Sequence, residues 1–270
     1  MKLLGSIFGP GFGGFIANIY GINAPFFAYA IVSAIGIVPT LILPIVNNSN
    51  DKKINSQELY RQTWNSLRDS NFIPILPAIF SLFFIRTGVR STLVPLFSGN
   101  NLSLNEFDIG IILTLAAIAT TVTMLPIGII SDKIGRRTPL LLSLILSAPI
   151  SLWIPFTSNL LYISLVMFMY GSILGLSGPI AAYVTDIAPK DKLEIYMGVY
   201  RTIGDIGFVL GPLLMGFIVD LTETNIMRGG SIIGLVGWPP FAVAAAIMIV
   251  TGLFLLKAPD IRPKNRKNRL

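Results

Sequence analysis

Very few ionisable side chains stand inside the long apolar runs of this chain, and chemistry would have to happen at those few. Asp205 lies about nine residues into an apolar segment that opens near Tyr196, roughly 13 Å along a helix rising 1.5 Å per residue. A carboxyl at that depth is a candidate proton carrier, because burial disfavours its charged form. Arg201, four residues earlier on the same helical face, offers the alternative of a structural ion pair. Arg86 lies near mid-depth in another run, where it would bind an anionic group or neutralise a carboxylate. Arg90, one turn further on, is close enough to the end of that run to snorkel to the interface. Tyr170 and the small-residue run from Gly171 to Pro179 either border the same space or simply pack helices. The chain has no histidine and no cysteine, so histidine acid–base catalysis, thiol chemistry and Cys/His metal sites are excluded. Any proton must ride on Asp or Glu, and no metal or cofactor is expected. Asp205 has no companion carboxylate at depth, which argues against an enzyme.

The composition says what surrounds these residues. The chain is 53% hydrophobic and 12% charged, with a mean hydropathy of +0.74, whereas a soluble domain carries about one-quarter charged residues. The bilayer is therefore the solvent. A net charge of +7 would suggest nucleic acid for a soluble protein, but here the cations sit between apolar spans, where they orient helices.

Eight stretches approach the roughly 20 residues that cross a hydrocarbon core. They run from 3 to 20, 25 to 46, 72 to 97, 109 to 130, 139 to 156, 160 to 187, 196 to 221 and 239 to 256. Pro10, Pro39, Pro77, Pro126, Pro149, Pro179 and Pro212 fall within them, and kinks are expected there. With the amino terminus inside, 17 of the 20 Lys and Arg residues fall in cytosolic segments and only Arg86, Arg90 and Arg228 do not. That asymmetry predicts an integral multi-pass protein with both termini cytoplasmic, in the plasma membrane. The first run lacks a small-residue cleavage site and is read as a working span rather than a signal peptide.

Two motifs organise the spans. Gly128-Ile-Ile-Ser-Asp132-Lys133-Ile-Gly135-Arg136-Arg137 is a charged, glycine-punctuated turn between two apolar runs. The second motif occurs twice: Gly5, Gly9, Pro10, Gly13 and Gly14 in the first span are matched by Gly207, Gly211, Pro212 and Gly216 in the seventh, 202 residues later. Glycines four apart make a smooth face for close helix contact, and a six-helix period is that of a parallel internal repeat. The turn resembles the signature loop of major facilitator superfamily transporters, Gly-x-x-x-Asp-Arg/Lys-x-Gly-Arg-Arg/Lys. The first glycine copy resembles the antiporter motif of the superfamily's proton-coupled drug exporters.

The resemblance implies an all-α bundle equivalent to helices five to twelve of a twelve-helix transporter, with the first four absent. Residues 1–46 would be the last two helices of an amino-terminal bundle and 72–256 a complete six-helix bundle. Between them, 47–71 would be a cytoplasmic linker carrying an amphipathic helix with a capping box from Asn55 to Glu58. Residues 257–270 would be a basic tail attracted to anionic lipid. In the implied mechanism a small molecule is exported in exchange for protons by alternating access. Asp132 holds the cytosolic gate by capping the helix near Tyr196 or by pairing with Arg201, while Lys133, Arg136 and Arg137 meet Asp186 or lipid. The alternatives are uptake of an organic anion through Arg86, and a membrane-embedded partner that does not transport. The rest of the amino-terminal bundle would be missing or supplied separately.

Overall fold

The computed structural model describes residues 2–42, 56–228 and 231–261. The first part of the expected linker, with Asn55 of its capping box, and the basic tail from 262 onwards lie outside the described residues. Inside hydrocarbon a single apolar segment satisfies its backbone by winding into a helix, and each predicted span is helical over its described residues, some of them in consecutive pieces. α1 (Lys2–Tyr20) and α2 (Ala24–Ile42) form a hairpin that turns at Gly21, where φ is +88°. α3 (Ser56–Ser66) is the amphipathic helix of the linker. Within it Gln62 and Arg61 donate to the Glu58 carboxylate, which holds that carboxyl below its ordinary range.

The six-helix bundle starts with a composite span. A 3₁₀ turn (Ile73–Ile75) leads into α4 (Leu76–Ile85), then a π-wound segment (Arg86–Leu93), then α5 (Val94–Asn100). α6 (Glu106–Ile134), α7 (Arg137–Trp153), α8 (Leu160–Gly175), α9 (Ile180–Ile187), α10 (Leu193–Thr222) and α11 (Pro239–Leu255) follow. Asn105 and Asn159 cap α6 and α8 by accepting from Asp108 N at 2.8 Å and Tyr162 N at 2.9 Å. Among the described residues five spans are long and apolar enough to cross a membrane: Ile73–Asn100, Glu106–Ile134, Arg137–Phe156, Leu160–Ile187 and Leu193–Thr222. Pro239–Leu255 and the Ala24–Ile37 part of α2 are apolar but shorter, and α1, at 19 residues, reaches about 28 Å.

α6 packs on α8, α8 on α7, α7 on α11, α11 on α4, and α4 on α10, while α1 lies along α6 outside this ring. The core holds fully buried Phe72, Phe84, Tyr170, Tyr183 and Phe241, with Phe97 and Phe241 edge to face at 6.1 Å.

Three details of the structure add to the sequence reading. The bundle is all-α as expected, and in the connection between α10 and α11 a two-stranded antiparallel hairpin forms, β1 (Thr224–Arg228) with β2 (Ser231–Leu235). It is tied to the end of α5 by Asn100 Nδ2, which donates to Gly234 O, and by Asn101, which exchanges two bonds with Val236. α1, α6, α7 and α10 run through Pro10, Pro126, Pro149 and Pro212 as continuous helices. The large irregularities are the π-wound segment and the break before α9, where Pro179 caps that helix. On α3, Tyr60 and Trp64 are exposed, and Leu67, just past the helix, packs against the core.

Candidate functional site

The signature turn is built by the end of α6. Gly135 ends the helix with φ +100°, a conformation that L side chains rarely adopt, and its N–H bonds Ser131 O at 3.0 Å. Its φ turns the chain so that Arg136 points back under the bundle. There Arg136 Nη2 lies 2.8 Å from Asp132 Oδ1, and Nε lies 2.5 Å from Asp186 Oδ2 at the end of α9. The Arg136 and Asp186 side chains are only 12% and 10% exposed, whereas Asp132 is 52% exposed. The bond to Asp186 is therefore the stronger of the two, because solvent screens the other. The expected pairing of Asp132 with Arg201 does not occur: Asp132 is held within its own turn, and Arg201 bonds elsewhere. Lys133 is exposed in the last turn of α6, where it complements the helix dipole. The Gly128 carbonyl accepts from Ser131 Oγ, and space beside its Cα is open.

A strap that the sequence did not announce closes the turn from beneath. Arg137 Nη1 donates to Leu256 O and Ala258 O, both at 3.0 Å, just past α11. Tyr183 on α9 donates to Pro259 O, Arg136 N reaches Ile261 O, and the Asp260 carboxylate fills the place of a side chain at Gly135. One knot thus joins the ends of α6, α7, α9 and α11.

The membrane-embedded charges fall into two groups. Arg201 Nε lies 2.9 Å from Asp205 Oδ2, one turn apart on the outer face of α10, and both side chains are about half exposed, at 63% and 48%. Asp205 is the thirteenth residue of a 30-residue helix, so the pair sits near mid-span. Arg86 begins the π-wound segment and is exposed, without an ion-pair partner among the described residues. Arg90 does not snorkel to the interface. Its Nη2 donates to Leu113 O on α6 at 3.0 Å, which draws it inward. Among the described residues no group of three or more acidic side chains could hold a metal ion.

The two glycine copies both make close contacts, with different members. On α10 a side chain at Gly207 or Gly211 would collide with the backbone of Phe80 or Phe84 on α4. On α1 it is Gly14 that meets α6, packed against Glu106 O and Gly110, with Pro10 O against Gly110. Gly5, Gly9 and Gly13 on α1, and Gly216 on α10, have nothing within 4 Å.

The family model described as Major Facilitator Superfamily matches residues 1–212 and, in a second register, 76–269. The chain belongs to the major facilitator superfamily. Overlapping registers are what a chain holding parts of two related halves produces. It is 27% identical over 230 residues to Multidrug resistance protein 2 of Bacillus subtilis, covering 80% of this chain and 55% of that one. It is 26% identical over 219 residues to Multidrug resistance protein MdtG of Klebsiella pneumoniae, covering 78% and 52%. It is also 26% identical over 165 residues to the class E tetracycline resistance protein of Escherichia coli, covering 60% and 36%. The chain spans about half the length of these two multidrug resistance relatives. A membrane-embedded superfamily of transporters, rather than of enzymes, is thus its setting.

Within this superfamily fold, sequence reasoning identified the turn and its link to Asp186. It missed the strap at 256–261, Tyr183 and the π winding. Two arginines four apart beside Gly88 were a usable signal for the last, since like charges at that spacing strain an ordinary helix. Nothing in the sequence marks which carbonyls Tyr183 and Arg137 would reach.

Proposed function

We propose that this chain forms the greater part of a secondary active transporter that exports a small amphipathic molecule in exchange for protons by alternating access. The observation that carries this reading is the Asp132–Arg136–Asp186 network, which joins the ends of α6 and α9 across the turn into α7 on one face of the bundle. Such a network has two discrete states, made or broken, and so biases which face is open. The names of the relatives, two for multidrug resistance and one for tetracycline resistance, support export. Alternating access needs a second bundle, and relatives matched over only 55% and 52% of their length support its supply by residues outside these 270. The turn lies on the cytosolic side, as the distribution of Lys and Arg supports, and the protein resides in the plasma membrane.

Asp205 carries the proton. Protonation neutralises it and releases Arg201, which couples charge to the exposed face of α10. The test uses the assembled protein in proteoliposomes with an imposed pH gradient. Asp205→Asn should abolish uphill movement of tetracycline and leave downhill exchange intact. Uphill movement that survives the substitution makes the pair structural. No gradient-driven movement in the unsubstituted protein removes the export reading. Topology is checked separately, since the chain has no cysteine of its own. Cysteines at Ser56 and Glu106, both exposed, should react with an impermeant maleimide on intact cells only at 106.

A further inference from the structure

The π-wound segment Arg86–Leu93 is the least ordinary stretch of backbone in the bundle. Its winding is visible in the side chains too: Thr92 Oγ1 donates to Thr87 O at 3.0 Å and Ser91 Oγ to Arg86 O at 3.3 Å, each five residues back. With that winding, residues four and five apart share a face, so Arg86, Arg90 and Ser91 lie together. Two cations one turn apart repel each other, and a charge inside a membrane is retained only where it is used. Neither arginine enters an ion pair among the described residues; Asp205, Asp132, Asp186 and Glu58 are each taken by another arginine. Arg90 is fixed by Leu113 O through one nitrogen, and no other hydrogen bond of its guanidinium is seen among the described residues.

Two further observations point to a ligand. Tyr170 on α8 is wholly buried within electrostatic reach of Arg90, and its hydroxyl has no hydrogen-bond partner among the described residues. Native interiors rarely leave such a group unsatisfied. Phe83 and Tyr200 stand edge to face at 5.9 Å, one turn before Arg86, and Tyr200 lies within electrostatic reach of that arginine. The site therefore offers an aromatic wall beside Arg86. A cavity of about 380 Å³ between α4 and α11 is lined by Pro77, Phe80, Thr251 and aliphatic residues, with no charge, and offers nothing comparable.

We propose that the π-wound segment is the subsite for the anionic group of an amphipathic aromatic substrate, held between Arg86 and Arg90 with its ring against Phe83 and Tyr200. This rests on the transport reading and names its substrate class. π segments recur at functional sites because their winding re-aims side chains. Here the effect is to bring positions 86 and 90 onto one face of the segment, where the planar fork of the exposed Arg86 can meet a carboxylate beside Arg90.

The experiment compares two probes of one shape and different charge, 1-naphthoate and 1-naphthamide, by titration calorimetry on the purified 270-residue chain in neutral detergent. The chain should bind naphthoate at least tenfold more tightly, and the preference should shrink as salt rises. Arg86→Gln should leave both probes bound alike, while Arg86→Lys, which keeps the charge but loses the fork, should retain part of the preference. Arg86 is exposed, so its loss should spare the helical circular dichroism that serves as the folding check. Equal affinities in the unsubstituted chain, no naphthoate binding by folded protein, or a preference that survives Arg86→Gln would each overturn the subsite. Binding without gradient-driven transport defeats only the export reading, whereas transport without charge preference defeats only this subsite.

Discussion

α1 and α10 carry the same glycine–proline pattern and use opposite parts of it. α10 presses Gly207 and Gly211 into the backbone of α4, inside the six-helix bundle, and leaves Gly216 open. α1 leaves Gly5, Gly9 and Gly13 open and presses Gly14 onto Glu106 and Gly110 of α6, outside the bundle. The faces are complementary, since what one copy buries the aligned members of the other expose. A small-residue stripe therefore licenses close approach without choosing the partner. Which side of the stripe is filled depends on which helix the tertiary fold brings alongside.

The largest effect should follow from Gly211→Leu. Its first carbon would lie 2.6 Å from Phe84 O and 2.9 Å from Gly88 N, both backbone atoms that cannot step aside. Overpacking there should cost about 3 kcal/mol in the unfolding equilibrium in mixed detergent micelles. Full stability would mean that the two helices are not in backbone contact. Next comes Gly14→Leu, which should loosen only the α1 attachment, by roughly 1–3 kcal/mol. The position of α1 can be read directly: a carbon added at Gly11 would sit 4.0 Å from Thr114 Cβ, within disulfide range. Paired cysteines at 11 and 114 should therefore cross-link under mild oxidation, and Gly14→Leu should suppress the bond. Unchanged cross-linking would break the comparison on the α1 side.

Gly135 sharpens the comparison because backbone conformation, as well as contact, demands a glycine there. Gly135→Ala should cost about 1–3 kcal/mol, since alanine strains at φ +100°. Adding Asp260→Ala should restore only the part due to crowding. Full restoration would mean that φ contributes nothing. The smallest effect is expected at Gly216→Ala, where space is open and the change should stay within about 0.5 kcal/mol. A loss like that at Gly211 would show the outer face of α10 to be filled in the isolated chain.

The sequence made much of this legible. The helices fall close to the predicted spans because an uninterrupted apolar run in a bilayer has one backbone solution. The Asp132–Lys133–Gly135–Arg136–Arg137 turn was readable because its residue types sit at fixed spacings. Arg201 and Asp205, one turn apart, pair as their spacing allows. The β1–β2 hairpin was not legible, since its stability comes from Asn100 and Asn101 far back in the chain. The inward turn of Arg90 was likewise hidden, because its acceptor, Leu113 O, belongs to another helix.

By itself, then, the sequence determined the solvent, the helices, the family and the chemistry of the turn, all of which rest on local composition and spacing. Tertiary structure alone decided that Asp132 keeps Arg136 rather than meeting Arg201, that the segment after α11 straps the turn, and that each glycine copy fills only one face. Those outcomes depend on contacts between distant residues, such as Arg136 with Asp186, Arg137 with Ala258 and Gly211 with Phe84. No local pattern encodes which of several chemically equivalent partners the packed helices will bring within reach.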